Sequence, residues 1–373
     1  MTEPRRILFF VEGEPHHGLS PASRLRAYQY APLFAEAGIE CLYLPSHPPK
    51  YFHNRYSMKL LRPRARWLYR LILLCGWGVM CVNRLLQILR VRPTDIVVLQ
   101  REFLPNSLVF LETTLARKTE RLIFDVDDAI FEPFTDGNPR RSEEQQQKVQ
   151  TILKLAHTAV VSTPYLQTCL RPFHSRIHVI STPVDTDAIR PIQHARSSSP
   201  PVIGWIGSSS NLIFLKPLED VFRQLAQTHQ FRFRIICNRA HATEYPDLSA
   251  DWLEIIEWSL DTESEELQKL DVGIMPLCHN RWCLGKAGFK LLQYMAAGLP
   301  IVASPVGFNC ELVQHGVNGF LADSDNEWEE FLARLLQDRE LRQRMGQEGR
   351  QFVEKEFSLR PTFAKLLNVI NSP

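Results

Sequence analysis

Lys286 and Lys290 are the residues of the chain that are best placed to bind a charged ligand, because they stand at the start of a short helical pattern. The segment 285–305 has the pattern of a glycine-containing loop, a short helix, a glycine stop and a buried strand. Gly298 stands where a helix ends in the left-handed conformation, and Pro300 prevents its continuation. A helix N-terminus presents free N–H groups and positive dipole, so added lysines favour phosphate binding. The spacing alone also allows a strand–helix–strand unit with two solvated lysines.

A second phosphate-binding pattern lies upstream, at Gly207, Ser208 and Ser209, directly after the apolar run 202–206. A strand followed by glycine and serines before a helix can cradle a diphosphate with its backbone N–H groups. Trp258 follows another predicted strand. Its ring could stack on a nucleotide base or simply fill the core.

Charged residues also follow two predicted strands in the first half of the chain. Asp127 and Asp128 come after the run 122–126, and Arg101 and Glu102 end the preceding strand. Ligands of parallel sheets sit outside the carboxyl ends of the strands, so we expect these four residues to lie close together. The carboxylates could contact sugar or acceptor hydroxyls, bind a metal, or cap a helix.

The loop after the first strand contains Gly13 and leads to Arg24, with Ser23 as the expected helix N-cap. Such a loop could bind an anion on the acceptor side of a site. Its glycine spacing is not that of the dinucleotide fingerprint, so a nicotinamide-dependent dehydrogenase is not supported.

The elements that must position these residues are repeated strand–helix units. This alternation predicts an α/β fold with mostly parallel, doubly wound sheets. A proline- and serine-rich stretch at 190–201 predicts a linker between two Rossmann-like domains that face a cleft. We expect an N-terminal domain at 1–190, a C-terminal domain at 200–355 and a returning helix at 356–373. Helices are predicted at 24–37, 143–155 and 215–227, and strands at 7–11, 40–44, 96–99, 122–126, 159–162, 178–181, 202–206, 232–237, 253–256, 272–275 and 301–303.

The composition is that of a soluble globular protein, with 45% hydrophobic and 23% charged residues among 373. The eight cysteines form no CxxC pair, which predicts reduced thiols in the cytoplasm and neither a zinc site nor a disulfide framework. The first apolar run, 7–11, is too short for a signal peptide.

A basic segment begins at Cys41 and ends at Thr94. It contains ten Lys and Arg and no acidic residue. Its apolar run, 71–82, is shorter than the ~20 residues that span a bilayer. The pattern favours a basic amphipathic helix on an anionic membrane surface. The alternative is a buried domain helix with solvated ends. Nucleic acid is not an expected partner, because no nucleic-acid motif is present.

The chain resembles family-4 glycosyltransferases of GT-B fold, of the kind found in bacterial polysaccharide and lipopolysaccharide pathways. The resemblance covers nearly the full length, and its most specific part is 285–307. The matching segments are 23–30 (SRLRAYQY), 100–102 (QRE), 124–131 (FDVDDAIF), 204–208 (GWIGS), 271–276 (DVGIMP), 285–307 and 315–319 (HGVNG).

This resemblance implies a retaining hexosyltransferase (EC 2.4) that moves a sugar from a nucleotide-diphosphate sugar, held mainly by the second domain, to an acceptor on the first. The family's glutamate pair would fall on Gly285 and Gln293, neither of which is acidic. We infer that Lys286 and Lys290 supply the charge for the diphosphate, as in a sub-pattern with Lys before Leu-Leu-Gln-Tyr. No metal or other cofactor is then required.

The family's histidine would fall near Asp127, so Asp127 and Asp128 are the catalytic candidates. Gln293 is assigned to the donor site with the lysines. Glu311 could bond a sugar or ribose hydroxyl. The expected acceptor is a glycan or lipid-linked molecule of cell-surface polysaccharide synthesis, and the expected location is cytoplasmic, peripheral on the inner membrane face. Two alternatives stay open: a sugar-nucleotide epimerase of the same fold, and a non-catalytic nucleotide-sugar-binding partner.

Overall fold

The computed structural model describes residues 6–14, 21–46, 66–103, 109–133, 139–191, 200–238 and 250–372. The chain divides into two compact units. Unit 1 comprises Met1–Thr182 and Phe363–Pro373, and unit 2 comprises Pro183–Thr362.

The first crossing between the units lies after Thr182, earlier than the predicted linker near 190. The reason is that the following residues bond within unit 2. Val184 forms a parallel bridge with Ser358. The guanidinium of Arg350 donates to the carbonyl oxygen of Ile189 at 2.7 Å.

Unit 1 is built on a parallel sheet of six strands with helices between them. The strands are β1 (Arg6–Val11), β2 (Glu40–Pro45), β3 (Ile96–Gln100), β4 (Arg121–Val126), β5 (Thr158–Val161) and β6 (Ile177–Val179). Their order across the sheet is β2-β1-β3-β4-β5-β6. The helices described between them are α1 (Pro21–Arg26), α2 (Ala31–Glu36), α3 (Arg66–Leu89), α4 (Phe110–Ala116), α5 (Pro139–Leu155) and α6 (Pro164–Leu170).

Unit 2 repeats this plan with a second parallel sheet of six strands. The strands are β7 (Val202–Ile206), β8 (Arg232–Cys237), β9 (Leu253–Glu257), β10 (Val272–Met275), β11 (Ile301–Ala303) and β12 (Gly319–Leu321). Their order is β12-β11-β10-β7-β8-β9. The helices described are α7 (Glu219–Thr228), α8 (Glu263–Gln268), α9 (Arg281–Leu284), α10 (Phe289–Ala296), α11 (Asn309–Leu312), α12 (Asp325–Gln337) and α13 (Arg339–Glu356).

The central strands β3 and β7 are buried at every position, as expected when both faces of a parallel sheet are covered. These two sheets confirm the predicted α/β class and the two Rossmann-like domains. The short strand β12 was not predicted.

A last helix, α14 (Leu359–Asn371), returns the chain to unit 1, which includes its residues from Phe363 onward. The ring of Phe363 lies 4.8 Å from that of Phe34 and 5.9 Å from that of Tyr30, measured between centroids. The guanidinium of Arg121 donates to the carbonyl oxygen of Val369.

Helix α3 carries the apolar part of the basic segment. Arg84, one of the ten bases of this segment, is fully buried and donates at 2.7 Å to the carbonyl oxygens of Leu44 and Val11. Its burial has a physical reason, because the ends of β1 and β2 leave carbonyl groups that need donors. Within the described part of the chain, no helix is both long enough and apolar enough to cross a membrane. Residues 47–65 of the basic segment lie outside the described residues.

Candidate functional site

The loop after β7 and the first turn of α10 come together in unit 2. A Cβ atom built on Gly207 would lie 2.5 Å from Cε of Lys290, so the lysine stem passes directly over this glycine. The Lys290 ammonium lies 5.0 Å from the ring centroid of Trp205. Lys290 is the second residue of α10, as predicted.

Two close contacts fix α10 against the sheet. The hydroxyl of Tyr294 accepts from the N–H of Ile206 at 3.0 Å and donates to the carbonyl of Ile274 at 3.3 Å. A Cβ on Gly273 would lie 2.3 Å from the Tyr294 ring, so only glycine permits this approach of helix and strand. These contacts hold the N-terminus of α10 beside the loop after β7.

The cap of α10 is Gly288, whose φ of 66° is left-handed and favours glycine. Gly288 lies close to Asn309: a Cβ atom built on Gly288 would be 3.8 Å from Oδ1 of Asn309. Asn309 is buried and donates from Nδ2 to Ser304, while its Oδ1 has no hydrogen-bond partner. Sequence reasoning missed Asn309, because nothing in its neighbourhood marks an unsatisfied amide. The predicted left-handed stop of α10 is confirmed at Gly298, with φ of 71°.

Lys286 approaches the same segment from the preceding turn. Its ammonium lies 5.9 Å from the ring centroid of Phe214, which belongs to the 3₁₀ helix Ser209–Leu218 after the loop. The ring of Trp282 lies 5.4 Å away on the other side. Both predicted lysines are thus brought to the segment that follows β7.

The serines of this loop form a local network. The side chain of Asn211 donates to the Ser208 hydroxyl at 2.7 Å, and the Ser208 and Ser210 hydroxyls are 3.1 Å apart. Ser208 is exposed and Ser209 is partly exposed. The arrangement leaves the loop open toward solvent at its serine end.

The other predicted donor residues are placed less directly. Gln293 is buried on α10, one turn beyond Lys290. Glu311 is exposed on α11, and the loss of some hydration at its carboxyl raises the pKa of that group. Trp258 follows β9 and donates from its indole N–H to Glu263 at 2.8 Å, with its ring against the core. This contact fits the core interpretation of Trp258, and base stacking stays a prediction.

In unit 1 the ends of β3 and β4 meet as expected. Arg101 donates from Nε and Nη2 to the two carboxylate oxygens of Asp127, at 2.6 and 2.7 Å. Asp128 lies 3.7 Å from the same guanidinium. Burial raises the pKa of Asp127, but the charge and hydrogen bonds of Arg101 outweigh it, so the net pKa lies below the ordinary value. Asp127 is therefore an ionised carboxylate with both oxygens engaged.

Backbone strain is found at this ion pair. Among the described residues, Arg101 is the sole non-glycine residue with a positive φ, at 58°. Such conformations cost about 1–3 kcal/mol and persist only where the surroundings enforce them. The third carboxylate, Asp125, is tied by 2.9 and 3.1 Å bonds to Nε of Arg26, and both side chains are buried. Asp125 is thus a structural partner of Arg26, and this pairing was not predicted.

The remaining acceptor-side residues make their contacts within unit 1. Glu102 lies 2.6 Å from the Lys148 ammonium of α5. Gly13 is buried and, with Glu12, donates its backbone N–H to the Ser23 hydroxyl, which in turn donates to Gln100. Ser23 is the third residue of α1 and not its N-cap, which corrects the prediction. The reason is that its hydroxyl bonds back to the loop after β1.

Arg24 is partly buried on α1. Among the described residues, no group of three or more His, Cys, Asp or Glu side chains is arranged to hold a metal ion. The chemistry of the described sites is that of fixed cations in unit 2 and of a carboxylate–guanidinium pair in unit 1.

Comparison with known proteins relates part of unit 2 to one family. Residues 200–338 match the family model described as glycosyl transferases group 1. N-acetyl-alpha-D-glucosaminyl L-malate synthase of Bacillus anthracis is 35% identical over 72 residues, which is 19% of each chain. The alignments with curated relatives span about a fifth of those proteins.

Solved structures resemble the chain over its whole length. Sucrose-phosphate synthase from Thermosynechococcus elongatus superposes with a TM-score of 0.67 at 13% identity, covering 98% of both chains. The Anabaena protein HepE, solved with UDP and glucose, has a TM-score of 0.64 at 14% identity, covering 99% of this chain and 100% of its own. The chain therefore has the GT-B fold of two Rossmann-like domains, and its residues 200–338 match the group 1 glycosyltransferases.

Proposed function

We propose that the protein is a retaining glycosyltransferase of the family-4 type. It moves a sugar from a nucleotide-diphosphate sugar to a glycan or lipid-linked acceptor in cell-surface polysaccharide synthesis. The observation that carries this proposal is that Lys290 passes over Gly207 in the loop after β7, while the Lys286 ammonium lies 5.9 Å from the ring centroid of Phe214 in the 3₁₀ helix that follows. The whole arrangement lies inside the segment that matches group 1 glycosyltransferases.

In this proposal unit 2 stabilises the leaving group. When the bond between the anomeric carbon and the diphosphate oxygen breaks, negative charge develops on the nucleoside diphosphate. Preorganised donors stabilise such charge without rearranging during the reaction. Lys286, Lys290, the first N–H groups of α10 and the backbone after Gly207 supply these donors. HepE, which binds UDP and glucose, supports a nucleotide sugar as the donor.

In this proposal unit 1 positions the acceptor. We propose that the acceptor hydroxyl binds at the carboxyl ends of β1, β3 and β4, beside Arg101, Asp127 and Asp128. The acceptor oxygen attacks the anomeric carbon from the face that the diphosphate leaves, which retains the configuration, and the hydroxyl proton passes to the departing diphosphate.

The lysines can neutralise the diphosphate, so we propose that transfer needs no metal or other cofactor. Gln293 and Glu311 complete the donor site in this proposal, with Glu311 bonding a sugar or ribose hydroxyl. The positions of the family's glutamates are Gly285 and Gln293. This substitution is the observation that favours a non-catalytic nucleotide-sugar-binding protein as the second candidate.

The proposal is tested first by a thermal-shift screen of nucleoside diphosphates and their sugars. A ligand present at 100 times its Kd stabilises the folded protein by about 2.7 kcal/mol. The hit is then incubated with lipid-linked and glycan acceptors, with and without EDTA, and release of nucleoside diphosphate is measured. Release that depends on the acceptor and survives EDTA is the expected result.

Other outcomes point elsewhere. Conversion of the nucleotide sugar without any acceptor would identify an epimerase. Binding without turnover on every acceptor would favour the non-catalytic alternative. If no nucleoside diphosphate stabilises the protein, the assignment of the donor site is wrong.

A further inference from the structure

Helix α3 carries a continuous apolar stripe that faces away from the core of unit 1. Six residues spaced three, four or eight apart form it, and their side chains are between 40% and 71% exposed. At 100° per residue this spacing places them along one side of the helix. The outer stripe of α3 consists of Trp67, Leu71, Leu74, Val82, Leu85 and Leu89.

The opposite side of α3 packs against unit 1, so the outer stripe is not the side of the helix that belongs in the core. Met80, Arg84 and Ile88 are buried against unit 1. Arg84 donates to the last residue of β1 and to β2. The Lys118 ammonium donates to the carbonyl oxygens of Ile88 and Leu89 at the end of the helix. The rotation of α3 about its axis is thereby fixed with the stripe toward solvent.

The sequence segment that contains the stripe carries charges of one sign only. No acidic residue occurs between Glu40 and Asp95. Arg90 and Arg92, directly after α3, are exposed. An apolar stripe with bases at its border is the pattern of a helix that lies in the interface of an anionic bilayer. We propose that the outer stripe of α3 is a docking surface for an anionic lipid membrane.

The dimensions agree with a helix that lies on the bilayer. The stripe extends from Trp67 to Leu89, about 33 Å at 1.5 Å per residue. Arg84 on the inner side holds α3 to the sheet, so the helix binds lipid with one face while its other face stays on the protein. Exposed apolar patches of this extent mark interaction sites on soluble proteins.

A second copy of the chain fits this surface less well than lipid does. Pairing two copies through α3 would bring two basic segments together without any acid from either segment to balance them. Like charges at close range oppose association, whereas anionic headgroups supply the missing counter-charge.

Docking through α3 also bears on the acceptor, and this step rests on the proposed function. Arg84 and Asn83 of α3 bond the carboxyl ends of β1 and β2. That edge of the sheet is where the acceptor is proposed to bind. A membrane held on the outer stripe of α3 therefore lies one helix away from this edge, which favours a lipid-linked acceptor over a free glycan.

The test is flotation of the full chain with vesicles of phosphatidylcholine, with and without phosphatidylglycerol, in the absence of nucleotide and acceptor. We expect binding to the anionic vesicles, lost at 1 M salt, where the Debye length is ~3 Å. Equal binding to both vesicle types, or to neither, would overturn the proposal. Because flotation measures no transfer, its failure is distinct from a failure of the proposed function.

Substitutions locate the surface. Leu74→Asp and Val82→Asp, made separately, should each weaken vesicle binding by about tenfold or more, because a carboxylate would enter the acyl region. The matched control is Val317→Asp in unit 2, an exposed valine that receives the same charge. Arg90→Gln should weaken binding by about fivefold.

Leu74 and Val82 are exposed, so we expect each variant to have the same Tm as the wild type. Either variant alone is then a sufficient test. If Val317→Asp weakens binding as much as Val82→Asp, the added charge acts without regard to position and the stripe is not the docking surface. A dimer of the wild type without vesicles, abolished by Val82→Asp, would assign the stripe to a second copy instead.

Discussion

Replacement of Gly207 by alanine should weaken nucleoside diphosphate binding while leaving unit 2 folded. The new Cβ would lie 2.5 Å from Cε of Lys290 and 2.8 Å from Cη2 of Trp205. Trp205 is buried and its ring cannot give way, whereas the lysine stem is flexible. The substitution therefore displaces Lys290 from its place over the loop.

The size of the effect follows from these distances. Carbon atoms pack at about 3.5–4.0 Å, so Cε of Lys290 must move by about 1.0–1.5 Å. A shift of that size takes the ammonium out of the ~2.7–2.9 Å range of a charged hydrogen bond. Such a bond contributes about 1.5–3 kcal/mol, which raises the Kd by about 10- to 150-fold. Crowding against Trp205 should lower the free energy of unfolding by about 1–3 kcal/mol.

Calorimetry with the nucleoside diphosphate and with the free nucleoside measures the effect. The nucleoside carries no phosphate, so its affinity should stay unchanged. In a Lys290→Ala background the same glycine substitution should cost little further affinity, because the displaced stem is gone. Gly78→Ala serves as the control, since its Cβ would meet no atom within 4 Å.

Two results would refute the reasoning. If Gly207→Ala leaves diphosphate affinity unchanged while Lys290→Ala reduces it, the glycine does not control the lysine. If diphosphate and nucleoside weaken equally in Gly207→Ala, the loop shapes the whole pocket and the coupling to Lys290 is wrong.

Three further predictions concern single side chains. Lys290→Ala should weaken diphosphate binding by about 1.5–3 kcal/mol with no loss of fold, and Lys355→Ala, an exposed lysine on α13, should change nothing in the same calorimetric titration. Asp127→Asn should strongly reduce transfer in an assay of diphosphate release and leave donor binding intact; loss of donor affinity with early melting would instead make the carboxylate structural. Arg101 lowers the pKa of Asp127 in the folded protein. The ionised Asp127 carboxylate therefore stabilises the fold above the unfolded pKa of about 3.9, and this stabilisation is lost as the pH falls through the lower folded pKa. Urea titrations below pH 5 should therefore show a smaller loss of stability in the asparagine variant than in the wild type. Tyr294→Phe should lower the free energy of unfolding by about 1–3 kcal/mol, since two buried strand groups lose their partner, and an unchanged urea midpoint would contradict this.

The alternation of strands and helices could be predicted because apolar runs of strand length recur between helical patterns. Boundaries failed where the backbone departs from regular dihedrals. The predicted helix 24–37 breaks at Ala27, with φ of −126° and ψ of −65°, and a short 3₁₀ turn follows. The predicted helix 215–227 starts at Glu219, because Pro217 lies in a 3₁₀ helix. Strand β12 was missed because its sequence Gly-Phe-Leu lacks the β-branched residues that marked the equally short β11.

The residues of the candidate site could be predicted where they lie at the end of a strand or at the start of a helix. Arg101 and Asp127 follow neighbouring parallel strands, so their proximity could be inferred without coordinates. The pairing of Arg26 with Asp125 joins residues 99 positions apart and depends on where α1 turns. The passage of Lys290 over Gly207 depends on a side-chain rotamer that no local pattern records.

The division of the chain also determines an order of events during synthesis. Unit 1 is left at Thr182, and the segment that packs on Phe34 and Tyr30 follows only after all of Pro183–Thr362. At about 5–20 residues per second, the ribosome needs roughly 10–40 s to make the intervening segment. Throughout that interval the aromatic side chains of unit 1 still await Phe363. These aromatic contacts of unit 1 are therefore among the last that the chain can form during synthesis.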